Sequence, residues 1–245
     1  MRGARHQENA SSGNRKTGEG KTYHRSDGKR KHHVMVRLRR YNGMLYPFQR
    51  EILVVLKRHN TGKGGRCMNL NELRDRAYQC AFAHGWHKEK KSNRHWLCLV
   101  ISELMEAMNA DRKVNHANTE QFKYYLNLKE RSYDEFIYAF SNVIKDTVED
   151  ELADACIRLL DYAGVTDYDL DDFDYENSDA DDYSEMTFTE AMYNITSYVM
   201  EWDIPVILNE IFAFCKDRKI DIMWHITQKM KYNGLRPYKH GNKEY

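Results

Sequence analysis

At 245 residues, 41% hydrophobic and 31% charged, the chain has the size and composition of one globular domain with appendages. No apolar run approaches the ~20 residues of a membrane helix, and the basic N-terminus lacks the apolar stretch of a secretory signal, so no membrane partner is expected. The net charge of +1 conceals a split: residues 1–67 hold 17 Lys and Arg against 4 Asp and Glu, and the remainder 21 against 33.

Such a split describes a basic arm on an acidic domain. Residues 1–33 are rich in Arg, Lys, His, Ser and Gly, and disorder is expected there. A short apolar patch, Met44–Phe48 through Ile52–Leu56, allows a helical turn or two. Three readings of the arm stand side by side. A basic run can neutralise nucleic-acid phosphates. A solvated extension needs no partner, and no nucleic-acid partner is expected. The third reading, which we favour, is that translation starts at Met68, because Lys63-Gly64-Gly65 can be encoded by a ribosome-binding sequence just upstream of it.

From Met68 the spacing turns helical. Asn69 can cap a helix, with Glu72 three residues on, and Leu70, Leu73, Ala77, Cys80 and Ala81 share one face before a stop at Gly85. The linker Trp86–Lys91 is cationic and aromatic; it suits either a nucleotide or solvent. Ser92 or Asn93 then caps a second helix.

Within that helix, Trp96–Met108 is apolar apart from Ser102, Glu103 and Glu106, the pattern of a buried helix. Glu103 and Glu106, three apart, leave from one face. Carboxylates in such surroundings are paired or hold a metal. A polar stretch follows from Lys113 to Asn118, then a short helix over 120–127. Ser132 can cap a helix expected to run from Tyr133 unbroken through Val148 to Ala163, ended by Gly164. Its second half carries Glu151, Asp154, Arg158 and Asp161 as one charged stripe, in which Arg158 is expected to pair with Asp154 or Asp161. A solvated stripe would explain this pattern equally well; the carboxylates of the first helix are harder to explain that way.

Thr166–Glu185 holds ten acidic residues. It lacks the glycine of a calcium loop and is read as a mobile, solvated insertion. Thr187 or Thr189 opens the next helix, with a break at Pro205 and another helix through Cys215. Asp221 begins a last one through Tyr232. Five cysteines (Cys67, Cys80, Cys98, Cys156, Cys215) without CxxC spacing argue against a disulfide framework or zinc site and for a reducing cytoplasm. Cys80, Cys98 and Cys156 are read as core residues. The expected fold is an all-α bundle of five to seven helices.

Two helices each offering an i,i+3 carboxylate pair can converge on a hard divalent cation. In this, Glu103-x-x-Glu106 followed by Glu151-x-x-Asp154 resembles the MazG-like all-α nucleoside triphosphate pyrophosphohydrolases. Glu151–Asp161 is similar to that family's second motif, and Lys229–Gly241 to the tail of one branch. The resemblance spans Met68 to Tyr245, with insertions near 113–146 and 166–220. Ser102 stands where the family often has another Glu. The resemblance implies Mg2+ (Mn2+ as substitute) on Glu103, Glu106, Glu151 and Asp154, and hydrolysis of a nucleoside triphosphate to monophosphate and pyrophosphate. It implies phosphate contacts from Lys229 and Arg236. Asn233 is a candidate for sugar or phosphate, and Trp224 and Tyr232 for the base, although helical aromatics more often belong to the core. It also implies a homodimer or higher homo-oligomer, unless the insertions close the bundle within one chain. A catalytically inactive nucleotide-binding or interaction module on the same scaffold is the alternative. A di-iron bundle would need Glu-x-x-His and an HD phosphohydrolase a His-Asp pair; both are absent.

Overall fold

The structure, a computed structural model, describes residues 69–127, 133–170, 179–242 and 244. The expectations for the arm, for Met68, for a cap at Ser132 and for the centre of the acidic loop lie outside those residues.

Among the described residues there are eight helices of nine residues or more and no strand. Helix α1 (Leu70–Ala83) starts at Asn69, whose side chain accepts from the Glu72 N–H at 2.7 Å. It stops where Gly85 takes φ +82°, a left-handed conformation that glycine adopts without strain. Helix α2 (Asn93–Asp111) is capped by Ser92. Helices α3 (Thr119–Asn127) and α4 (Tyr133–Val143) pack on each other around Phe122, Phe136 and Phe140.

The long helix expected from Tyr133 to Ala163 is two helices. Helix α4 ends at Val143, Asp146 adopts φ +62°, and α5 (Val148–Thr166) restarts on Thr147, whose side chain accepts from the Asp150 N–H. The preceding loop staples this break: Val148 N–H donates to the Asn115 carbonyl at 3.0 Å, and Asn115 Nδ2 to the Asp146 carbonyl at 2.7 Å. Gly164 does not end α5, which continues to Thr166 with Asp167 in the left-handed region. Its role is contact: a Cβ there would lie 2.6 Å from Tyr78 Cβ, so only glycine lets α1 approach so closely.

Helix α6 (Phe188–Val199) opens on a reciprocal capping box between Thr187 and Glu190. Helix α7 (Ile204–Asp217) starts at Asp203 with Pro205 in its first turn, where the missing N–H costs nothing. Helix α8 (Ile222–Leu235) is capped by Asp221. Helix α5 is the centre of the bundle, packed against α1, α2, α7 and α8. Its Leu152, Cys156, Leu159 and Leu160 are fully buried, alongside Val100 and Leu104 of α2 and Ile207 and Ile211 of α7. Burying each such aliphatic side chain contributes about 1.5–3 kcal/mol. A second, aromatic core joins α3 and α4 to α8 through Phe140 and Tyr232, stacked at 4.4 Å.

The described flanks of the acidic segment are mostly exposed, but a few residues anchor them to the bundle. Leu170 and Tyr183 are buried, and Asp181 accepts from Asn194 Nδ2 at 2.6 Å and the Tyr198 hydroxyl at 2.9 Å. No described helix is long and apolar enough to cross a membrane. Cys80, Cys156 and Cys215 are buried, but Cys98 is exposed, against expectation. It lies with Ser102, Glu106 and Asn109 on an open stripe of α2, so that helix is buried on most sides only.

Candidate metal centre and its cleft

Helix α2 carries Glu103 and Glu106 to the floor of a cleft of about 280 Å3, and α5 carries Glu151, Asp154, Arg158 and Asp161 to the same floor. The break at Asp146–Thr147 sets the phase of α5, and so decides which of its carboxylates face α2. Carboxylate oxygens of Glu103, Glu106 and Glu151 all lie within 4.8 Å of one another. Asp154 lines the cleft beside them but is outside that group.

The electrostatics differ residue by residue. Glu103 is buried, and Arg158 Nε donates to its Oε1 at 3.0 Å. Arg158 therefore pairs across to α2, not along its own helix with Asp154 or Asp161. Asp161 instead meets His87 Nε2 at 2.9 Å, and that ring packs between Tyr78 and Trp96. The linker residue His87 is thus a buried partner of α5 rather than a solvated or nucleotide-facing group. Glu106 is exposed and accepts from the Ser102 hydroxyl at 3.3 Å. Glu151 is buried, and its carboxylate makes no hydrogen bond or ion pair among the described residues. Burial, with Asp154 beside it, pushes Glu151 up to about 8. Burial and Asp154 push Glu103 up to about 7 despite Arg158. In both, burial is the larger cause, since it disfavours the charged form.

Lys229 lies where surface reasoning did not put it. Its side chain is 5% exposed, and Nζ donates to Asp150 Oδ2 at 2.6 Å and reaches Asp154 Oδ2 at 2.7 Å. Burial disfavours the ammonium, but Asp154 and Asp150 outweigh that and hold its pKa above the ordinary lysine value. Asp150 was missed in the sequence. The one available signal was Thr147-x-x-Asp150, a helix-start pattern that also foretold the break before α5. Asp150 is buried, accepts the Asp146 N–H at 3.0 Å and is pushed up to about 6, burial outweighing Lys229.

Of the candidate substrate residues, Asn233 and Arg236 line the cleft, and Asn233 Oδ1 is buried with no hydrogen-bond partner among the described residues. Trp224 and Tyr232 do not line it; both pack in the aromatic core, against Phe122 and Phe140. The rings that do reach the cleft are Trp86, from the linker read as suiting either a nucleotide or solvent, and His84 and His240, which the sequence did not single out; the Trp86 and His240 rings meet edge to face at 5.4 Å. The tail is anchored there: Lys239 N–H donates to the His84 carbonyl at 3.1 Å, and Tyr238 packs over Gly85.

Three carboxylates within reach of one point form an all-oxygen donor set that fits a hard divalent cation and offers nothing to a thiophilic one. Compared with known proteins, the chain matches no family model, no curated protein and no solved structure.

Proposed function

We propose that the protein is a Mg2+-dependent nucleoside triphosphate pyrophosphohydrolase. The observation that carries this reading is the convergence of Glu103, Glu106 and Glu151 from two helices at the floor of a cleft whose walls carry Arg236, Asn233 and aromatic rings. In the reaction, water adds to phosphorus, the α–β anhydride P–O bond breaks, and monophosphate and pyrophosphate leave. Glu103, Glu106 and Glu151 would hold the ion, with Asp154 beside them; bound there, it supplies positive charge to the phosphate oxygens. Arg236 offers a planar, always charged donor set suited to phosphate. Asn233 offers an amide to sugar or phosphate. Arg158 orients Glu103 and opposes the burial that favours its protonated form. A cleft lined by carboxylates, Arg236, Asn233 and the rings of His84, Trp86 and His240 supports a ligand with both an anionic and a flat part, as a nucleotide has.

The resemblance to MazG-like enzymes supports the same activity, with a homo-oligomer as the assembly and the cytoplasm as its place. The test is a panel of ribo-, deoxy- and damaged-base triphosphates with Mg2+, read by release of pyrophosphate. Release from at least one of them, lost on chelation, is expected. Tight nucleotide binding without turnover across the panel would replace this reading with the inactive binding module.

A further inference from the structure

Six carboxylates line the cleft, Glu103, Glu106, Asp146, Glu151, Asp154 and Asp161, and Asp150 adjoins Asp146 and Glu151. Among the described residues, Lys and Arg pair with four of these seven: Arg158 with Glu103, Lys145 with Asp146, and Lys229 with both Asp150 and Asp154. The cations are unevenly placed. Among the described residues, the only ion pair on Glu103, Glu106 and Glu151 is Arg158 with Glu103. The neighbouring triad of Asp146, Asp150 and Glu151 is equally tight, within 4.8 Å, but two of its three members already meet a lysine. Lys229 is no surface side chain bent inward. It leaves the buried face of α8, its ammonium lies 5.8 Å from the Phe140 ring centre, and it bridges residues one turn apart on α5.

We infer that the Lys229 ammonium is a built-in cation of this site, occupying on Asp150 and Asp154 the place of a second divalent ion. The chain then takes one divalent cation, on Glu103, Glu106 and Glu151. This inference rests on the metal reading above and adds the number of ions and their residues. A second ion on Asp150 and Asp154 would be set against a buried ammonium. A lysine in this role also holds α8 to α5 before any metal arrives, because two short charge-assisted bonds join them.

The experiment is a Mn2+ titration of the full chain, counting bound ions by the electron paramagnetic resonance signal of free Mn2+. Wild type is expected to bind one ion per chain, Lys229→Arg one, and Lys229→Met two. Asp150→Asn is expected to keep the single ion within about twofold in Kd, and Glu151→Gln to weaken it by about tenfold or more. Two ions in wild type, or loss of the ion in a folded Asp150→Asn protein, overturn the inference while leaving the metal reading intact. One ion in both wild type and folded Lys229→Met also overturns it. Absence of any Mn2+ binding overturns this inference and the metal reading together. If Lys229→Met does not fold, two ions in wild type or loss of the ion in Asp150→Asn still overturns the inference.

Discussion

Around Glu210, buried carboxylates meet neutral donors: Glu210 Oε2 accepts from the Tyr183 hydroxyl at 2.7 Å and the Asp181 N–H at 3.2 Å, and Asp181 accepts from Asn194 and Tyr198. At the floor of the cleft, Glu151 is as deeply buried and meets no donor among the described residues, while Glu103 has Arg158 alone. Both centres place acids inside a helical bundle. One is closed by hydrogen bonds and fixes the acidic segment onto α6 and α7. The other opens onto a cleft and keeps acceptor capacity in hand. Burial of the residues disfavours the charged carboxylates, and their place in a cleft leaves their oxygens within reach of a ligand.

The largest expected effect breaks the open centre. Glu106→Gln removes one anionic ligand from an exposed position and should lower kcat/KM at least about a hundredfold, roughly 2.7 kcal/mol. Helical content by circular dichroism should be unchanged; activity within about twofold of wild type would remove Glu106 from the site. Arg236→Ala should follow at about ten- to a hundredfold, through loss of a charge-assisted bond of about 1.5–3 kcal/mol to phosphate. The loss should be equal on the best and second-best triphosphates, because phosphate carries no information about the base. A loss confined to one of them would assign Arg236 to the base.

The closed centre should respond in stability alone. Tyr183→Phe deletes a buried donor to Glu210 and is expected to destabilise by about 1–3 kcal/mol, with kcat/KM of the folded protein unchanged. Urea unfolding and turnover measured on the same preparation check both halves. A fall in turnover without a fall in stability would join the two centres functionally.

The smallest effect sharpens the contrast through pH. Glu103 and Glu151 hold their protons up to about 7 and about 8, above the ordinary glutamate range. Protons bound more tightly in the folded state favour folding at low pH, and that advantage is lost as pH rises through those values. In chelator, Tm should therefore fall by a few degrees between about pH 6 and 8.5. Mg2+ should abolish the slope, since the ion replaces the protons. An identical slope with and without Mg2+ would show that these carboxyls are not ligands.

Much of the local structure was legible. Asn69, Ser92, Thr187 and Asp221 cap helices where their positions in the sequence said they would. The i,i+3 spacing of Glu103 and Glu106 placed both on the cleft side of one helix. The break before α5 was encoded in Thr147-x-x-Asp150, but the apolar run from Phe136 to Val148 outweighed it in the reading. Exposure of Cys98 was hidden because an almost wholly apolar helix gives no local sign of which stripe its neighbours leave open.

The sequence by itself determined helix, cap and stripe, because these depend on residues three or four apart. Tertiary structure alone decided partners. Arg158 lies 55 positions from Glu103, and Lys229 lies 79 from Asp150. Whether a lysine on the last long helix grips phosphate or neutralises aspartates depends on how α8 rotates against α5. That rotation is set by packing of Phe140, Tyr232 and Ile226, contacts between chain segments far apart in sequence. Spacing within one helix carries no record of it, and only the folded bundle brings the charges face to face.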